Sequence, residues 1–406
     1  MTIHTAIRNS IAAAAALLLA VACGGGGGGD MPQPNQAFTQ GTIMGFGSVI
    51  VNGVRFDDSS AQVVDDDGQA HDKSELKLGM NVEVDSSSIN RGSNSAKANR
   101  IRFGAAIVGP VSAISAATTP KTLTVLDQIV EVSDTTVFDN SLANGFASIN
   151  VGDVLSVHAL LDTASGHYLA KRIEPKPGAA VFKLRGIVAG LDATAKTFTI
   201  GAAVIDFSQV PAAGLPANLA NGQKVRVQLQ TAKNANDQWV AISVRTDERK
   251  MEDANEAEVH GTISDFTSTT SFSVNGLPVD ASKATFPDGT AGIVLGASVE
   301  VEGAIVNGVL VASKVELERM HMNEDRNRNE LHGPISNLDT TAKTFVVRGV
   351  TVSYDTATVF KDGTVADLAN GKDVEVKGTL SADGTSVHAT SIEFEDENEN
   401  EMDDDD

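Results

Sequence analysis

The sequence predicts an all-β protein of five tandem small barrels, and three observations predict it. A pattern of Leu or Ile, then Gly three residues later, then Val or Leu-x-Val, occurs five times at intervals of 70 to 75 residues. Short runs around each copy alternate apolar and polar residues, as strands with one buried face do. Asn-Gly pairs, which favour tight hairpins, separate several of these runs. The pattern glycines are Gly79, Gly152, Gly222, Gly296 and Gly371.

The repeated pattern indicates a short turn, a stop and the start of a strand. Its glycine can take the left-handed conformation that redirects a chain without a Cβ clash. In the last copy, Leu368-Ala-Asn-Gly-Lys-Asp-Val-Glu-Val376, the Val-x-Val segment begins a strand whose alternate residues point inward. We interpret the five glycines as structural corners rather than as ligand-binding residues.

Length and composition favour several small cores and argue against some partners. A chain of 406 residues with a repeat of about seventy is long enough for five separate small domains. The net charge of −22 repels a polyanion, which argues against nucleic acid as a partner. Aromatic residues make up only 4% of the chain, so few rings are present to stack on bases or sugars. The single cysteine excludes an intrachain disulfide.

The first 22 residues have the features of an export signal. Arg8 precedes an apolar run over residues 11–22, which is too short to span a membrane. The segment Leu19-Ala-Val-Ala-Cys23 resembles the lipoprotein box of bacteria, which implies lipidation of Cys23; ordinary cleavage after Ala22 is the alternative. The residue after the cysteine is Gly24 and not Asp, and in lipoproteins this implies sorting to the outer membrane. Residues 23–40, rich in Gly and Pro, are predicted to form a flexible tether.

The first repeat, predicted at 41–104, begins with Gly41-Thr-Ile-Met-Gly-Phe-Gly-Ser-Val-Ile-Val-Asn-Gly-Val-Arg-Phe56, in which Asn52-Gly53 predicts a hairpin. Together with Leu76-Lys-Leu-Gly-Met-Asn-Val-Glu-Val84, this stretch resembles the bacterial domain-of-unknown-function family numbered 5666. The resemblance extends over 41–395 and is tightest in the first, fourth and fifth repeats. It implies a repeated β module of exported lipoproteins with no assigned activity.

The other repeats, predicted at 105–175, 182–246, 257–318 and 331–395, have the same order of strands. Second strands such as Ser271-Phe-Ser-Val274 and fifth strands such as Val387-His-Ala-Thr-Ser-Ile-Glu-Phe394 are examples. Five short strands with a turn before the fourth suit a barrel resembling the oligonucleotide/oligosaccharide-binding fold, and a small open sandwich is the alternative. Charged linkers predict an articulated chain of modules. Residues 396–406 are expected to be a disordered acidic tail.

Motifs for catalysis or for cofactor binding are missing from the sequence. There is no Gly-x-Ser-x-Gly, His-Glu-x-x-His or Cys-x-x-Cys, so we expect no catalytic residue and no cofactor. His260 and His332 each precede the first glycine of a repeat, but Arg185 and Val108 hold that place elsewhere. This variation indicates a partly exposed strand position rather than a designed site.

Two further groups raise the question of metal binding. Met320-His321-Met322 offers ligands for copper, although we interpret it as part of a linker and expect no metal site. The acidic groups Asp57-Asp58 and Asp65-Asp66-Asp67 lack the spacing of a calcium loop. We interpret them as solvated surface, with weak binding of a divalent cation such as calcium as the alternative.

The sequence therefore predicts a protein of the bacterial cell envelope, anchored by a lipid on Cys23, that acts as a non-catalytic array of binding or scaffold modules. Its partner would be an envelope protein or polysaccharide, since repeated modules on one tether gain avidity. The alternative is an enzyme that cleaves an envelope polysaccharide through carboxylates between modules. In a third hypothesis the modules are spacers that present the acidic tail.

Overall fold

Each of the five repeats folds into a closed barrel of five principal strands, which confirms the predicted fold class. The structure is a computed structural model and describes residues 37–247, 251–318 and 328–395. These residues lie within one compact unit. The predicted signal segment, Cys23, most of the tether, the Met320-His321-Met322 group and the acidic tail lie outside the described residues. Over the described ranges, no helix is long and apolar enough to cross a membrane.

Modules 1 and 2 each contain six strands and one 3-10 turn. In module 1 these are β1 (Ala37–Phe46), β2 (Val49–Val51), β3 (Val54–Asp57), β4 (Gln62–Asp65), the turn Lys73–Glu75, β5 (Asn81–Ser86) and β6 (Ser95–Phe103). In module 2 they are β7 (Ile107–Ser115), β8 (Lys121–Val125), β9 (Gln128–Val132), β10 (Val137–Phe138), the turn Gly145–Ser148, β11 (Val154–Asp162) and β12 (His167–Pro175).

Modules 3, 4 and 5 repeat the order. Module 3 contains β13 (Phe182–Ile187), β14 (Ala189–Asp192), β15 (Thr197–Ile200), β16 (Ala203–Asp206), the 3-10 turn Ala212–Gly214, β17 (Lys224–Lys233) and β18 (Trp239–Thr246). Module 4 contains β19 (Ala254–Ser268), β20 (Ser271–Val274), β21 (Leu277–Asp280), β22 (Ser298–Val306) and β23 (Val309–Leu317). Module 5 contains β24 (Arg328–Pro334), β25 (Ser336–Asp339), β26 (Thr344–Val347), β27 (Val350–Ser353), β28 (Val359–Lys361), the 3-10 turn Val365–Asp367, β29 (Asp373–Leu380) and β30 (Val387–Phe394).

The strands of module 1 close into a ring. Antiparallel pairs join β1 to β2 and β2 to β3, and β3 then runs parallel to β6. β6 pairs antiparallel with β5, and β5 returns to β1. The other modules close in the same way. This is the five-stranded Greek-key barrel of the oligonucleotide/oligosaccharide-binding type, so the open-sandwich alternative is wrong.

The repeated glycine pattern forms the same corner in every module. All five pattern glycines have positive φ, between +79° and +96°. Each glycine N–H donates a hydrogen bond to a backbone carbonyl near the first strand of its module. The accepting residue is two positions after the glycine that opens the repeat. The five bonds are Gly79 to Ile43, at 2.9 Å, and Gly152 to Val111, Gly222 to Val188, Gly296 to Ile263 and Gly371 to Ile335, each at 2.8 Å. The corner therefore joins the start of the fourth strand to the first.

The modules are packed on one another, so the predicted articulated chain is wrong. Residues Ala37 to Gln40 of β1 pair in parallel with β19 of module 4, and Gly45 and Phe46 pair with β24 of module 5. β7 of module 2 pairs with β13 of module 3, and these two modules share one continuous apolar core. Linker composition predicted separate modules because it shows polarity and gives no sign of long-range strand pairing.

Three predicted boundaries also move toward the N-terminus. β1 begins at Ala37 within the predicted tether, β19 begins at Ala254, and β24 begins at Arg328. In each case the first strand begins before the repeat boundary that the sequence pattern predicts. For β1 the four added residues, Ala37 to Gln40, pair with β19 of module 4. The sequence pattern of one module does not contain this information.

Candidate binding site between the modules

Three strands of every barrel carry a row of side chains on the outer surface, which we call the outer row. It consists of the residue before the opening glycine, the residue paired with it on the fourth strand, and that residue's partner on the fifth strand. Strand alternation points these side chains away from the core. The rows are Gln40, Glu83 and Arg102; Val108, Ser156 and Glu174; Arg185, Arg226 and Arg245; His260, Glu300 and Glu316; and His332, Glu375 and Glu393.

The outer row of module 3 is entirely arginine, and an acidic turn of module 1 lies on it. Arg185 forms an ion pair with Asp66, and Arg226 and Arg245 approach Asp67 at 3.7 and 3.6 Å. Our interpretation of Asp65-Asp66-Asp67 as solvated surface is therefore wrong. The arginines form ion pairs with the carboxylates that were the candidate calcium ligands. The acidic turn therefore joins modules 1 and 3.

A cavity of about 370 Å³ lies beside this contact, where modules 1 to 4 meet. The whole outer row of module 1 and two arginines of the module 3 row line it, together with strand residues of module 2 and the Asn275 turn of module 4. Its charged walls include Glu83, Arg102, Arg226 and Asp247. The volume falls within the range of small-molecule sites, roughly 300–1,000 Å³.

Lys224, the first residue of β17, contributes an ammonium group to the cavity wall. Burial lowers the pKa of Lys224 to about 8, although the charge of Asp247 opposes the shift. Burial likewise raises the pKa of Asp247, against the effect of Arg185, whose Nε lies 3.4 Å from its carboxylate. Among the described residues, no carboxylate oxygen lies within 4.0 Å of Lys224 Nζ.

His260 of module 4 lies in a cluster of carboxylates. Its Nε2 is 3.2 Å from Glu258 Oε1 and 3.5 Å from Glu300 Oε2, and its side chain is only 18% exposed. Burial alone would lower the pKa of His260, but hydrogen bonds to both glutamates raise it to about 9. His260 is thus partly exposed, as predicted, but it lies among carboxylates that the sequence alone did not indicate.

His332 occupies the equivalent place in module 5 and is 15% exposed. Its Nε2 lies 2.7 Å from Glu330 and its Nδ1 lies 2.7 Å from Glu395. Although burial alone would lower the pKa of His332, these contacts raise it. The clue in the sequence is a glutamate two residues before each histidine and another within Val-Glu-Val of the same repeat.

The other predicted site residues do not converge on the cavity. None of the five pattern glycines is among the described residues that line it. Gly79 and Gly296 instead lie against module 2. A Cβ at Gly79 would meet atoms of Val137 and Lys171, and a Cβ at Gly296 would meet atoms of Asp162 and Ala164. Cys23 lies outside the described residues.

Together these features define a class of protein, a tandem set of oligonucleotide/oligosaccharide-binding-type barrels packed into one body. Residues 108–174, 260–316 and 332–393 match the model of the family described as Domain of unknown function (DUF5666). Modules 2, 4 and 5 each match this domain model, which confirms the predicted tandem resemblance. The first repeat, expected to be among the tightest, lies outside the matched ranges.

Two further comparisons give less. No curated protein matches the chain. Among solved structures, drosophila Unr CSD456 is similar over 72% of this chain and 97% of its own, at 9% sequence identity and a TM-score of 0.13. A TM-score this low carries no argument, so the barrel assignment rests on the strand pairings described above.

Proposed function

We propose that the protein is an exported, non-catalytic binding protein of the bacterial envelope, anchored at the outer membrane by a lipid on Cys23, whose body binds a small acidic ligand. The apolar segment over 11–22 and the Leu-Ala-Val-Ala-Cys box support export and lipidation. The observation that carries the binding proposal is Lys224, a cation in a polar cavity with no ion-pair partner among the described residues.

The charges around Lys224 favour an acidic ligand. The neighbouring cations are already matched, since Arg185 and Arg226 contact Asp66, Asp67 and Asp247. A carboxylate or phosphate of a ligand supplies the counter-charge that Lys224 lacks, through a charge-assisted hydrogen bond. Amide side chains that also line the cavity, Gln40, Asn81 and Asn275, suit the hydroxyl groups of a sugar acid.

The packing of the modules changes how binding is achieved. Four modules build one cavity, so a single shared site replaces the avidity of separate modules. The cavity carboxylates Asp66, Asp67, Glu83 and Asp247 each have an arginine nitrogen within 4.0 Å. A general acid or base needs a carboxyl group that is free to exchange a proton with substrate, so this arrangement favours binding over the alternative of polysaccharide cleavage.

Thermal unfolding of the mature chain with added glucuronic acid tests the ligand class. Because a ligand that binds the folded state raises the melting temperature by mass action, we expect a concentration-dependent rise with glucuronic acid and none with glucose. Lys224→Gln should abolish the rise, whereas Lys97→Gln, which removes an exposed lysine of β6, should keep it. A rise that persists in Lys224→Gln contradicts the proposal.

Membrane fractionation tests the anchor separately. Cys23→Ser removes the only cysteine and with it the site of lipidation. We expect the variant in the soluble fraction of the envelope and the unchanged protein in the membrane fraction. Equal membrane retention of both would refute lipidation and leave the cavity proposal standing.

A further inference from the structure

We propose that module 4 binds a divalent transition-metal ion of the zinc class between Glu258, His260 and Glu300. This site is separate from the cavity and does not depend on its ligand. Glu258 and His260 are two residues apart on β19, and His260 is paired with Glu300 on β22, so all three side chains lie on one outer face of the barrel. One donor atom from each lies within 4.8 Å of the other two.

The three donors converge on one point. Both carboxylates approach the same ring nitrogen, at 3.2 Å from Glu258 and 3.5 Å from Glu300. Zinc lies about 2.0–2.2 Å from histidine nitrogen and carboxylate oxygen, which places neighbouring ligands of a tetrahedral or octahedral ion roughly 3.0–3.5 Å apart. The two separations from His260 Nε2 are in this range, and the two carboxylates lie within 4.8 Å of each other.

The surroundings also favour a cation. Glu258 and Glu300 are each less than one tenth exposed. Glu300 lies within 4.8 Å of the carboxylates of Glu302 and Glu316 as well, and those two already pair with Lys314 Nζ at 2.6 and 3.0 Å. Thr39 of β1 is the strand partner of Glu258, so its side chain lies on the same face of the sheet. Thr39 is fully buried, and its hydroxyl has no hydrogen-bond partner in the described part of the chain.

Module 5 provides a natural contrast. Glu330, His332 and Glu375 form the equivalent cluster, but there each ring nitrogen has its own carboxylate at 2.7 Å, one from Glu330 and one from Glu395. Arg55 also forms an ion pair with Glu330. This cluster is a network of hydrogen bonds and ion pairs in which the histidine donates from both nitrogens, so His332 is the matched control for His260.

Zinc titration of the full mature chain, stripped of metal with a chelator, tests the site. By calorimetry we expect His260→Gln and Glu300→Gln each to lose one zinc equivalent, or to bind it at least roughly tenfold more weakly, relative to the unchanged protein. His332→Gln should keep the original stoichiometry. Circular dichroism without metal checks that each variant is folded, and Glu258→Gln replaces any variant that is not.

The same titration can overturn the proposal. Unchanged zinc stoichiometry in His260→Gln and Glu300→Gln would show that zinc binds elsewhere on the chain. An equal loss in His332→Gln would show that the response is not specific to module 4. If the unchanged protein binds no zinc at all, the cluster is an ion pair between a protonated histidine and two glutamates.

Discussion

The amide nitrogen of Gly371 donates a 2.8 Å hydrogen bond to the carbonyl oxygen of Ile335, and the same bond is present in the other four modules. In the reverse direction, the Ile335 amide donates to the carbonyl of Lys372. Five copies of one corner therefore close five barrels between the first and fourth strands. The corner requires a residue that accepts positive φ next to a strand, and glycine does so without strain.

The first prediction compares two of these corners. In Gly371→Ala the added Cβ has no atom within 4 Å. The loss of stability therefore comes from backbone strain alone and is about 1–2 kcal/mol. Gly79→Ala has the same strain, but its Cβ also lies 2.9 Å from Lys171 O and 2.8 Å from a methyl of Val137. Urea unfolding should show the larger loss for Gly79→Ala. Equal losses would mean that module 2 does not press on this corner.

The second prediction concerns the contact between modules 1 and 3. Asp67→Asn removes the charge that approaches Arg226 and Arg245 and weakens the acceptor of a 2.9 Å hydrogen bond from Gln228. Because these arginines then lose a counter-charge, we expect a loss of about 1–3 kcal/mol in urea unfolding. Asp134→Asn, in an exposed turn, is the control and should change little. A loss that vanishes in high salt would show that the contact is screened surface attraction.

The third prediction concerns acid stability at Glu174. Burial alone would raise the pKa of Glu174, but His158 and Arg172 outweigh it and lower the pKa from 4.5 to about 2. Because the folded state binds the proton less tightly, this stabilisation is present above pH 4.5 and is lost as the pH falls toward 2. It amounts to roughly 3 kcal/mol at most.

Urea unfolding from pH 7 to pH 3 measures this effect. The difference in stability between the unchanged protein and Glu174→Gln should be largest at pH 7 and should shrink as the pH falls below 4.5. Other carboxylates titrate equally in both proteins, so the difference isolates Glu174. A difference that is constant across this range would mean that the pKa of Glu174 is not lowered.

The fourth prediction is that Lys224→Met stabilises the protein. Burial lowers the pKa of Lys224 from 10.5 to about 8, so at pH 7 the lysine is still charged but its charge is less favourable in the folded state than in the unfolded state. Removing that charge should raise the free energy of unfolding by roughly 1–3 kcal/mol at pH 7. The unchanged protein itself should gain stability between pH 8 and 10.5, so the advantage of the variant should disappear there. Lys97→Met, at an exposed position of β6, is the control variant and should change the free energy of unfolding little.

Features that lie within one repeat were predictable from the sequence. Asn52-Gly53 forms the expected hairpin, with φ of 54° and 79°. The predicted strands Ser271–Val274 and Val387–Phe394 coincide with β20 and β30. These features depend on residues close in sequence, and their turn chemistry and two-residue alternation are visible without a structure.

The candidate sites depend on contacts between distant residues. Asp66 and Arg185 are separated by 119 positions, and no local pattern shows that they meet. His260 was interpreted as variable because arginine and valine replace it in other repeats. The replacements follow what each outer row faces: arginine in module 3 meets the acidic turn of module 1, and valine in module 2 lies at its pairing with module 3. Variation between copies reflects their different neighbours.

The long first strand has a consequence for how the chain is made. β1 leaves the ribosome before the other strands, yet its two ends pair with β19 and β24, some two hundred residues or more later. Until modules 4 and 5 arrive, those ends present unpaired backbone that can add to a strand of another chain. Maturation is thus completed only with the last repeat, and truncated chains should aggregate through β1.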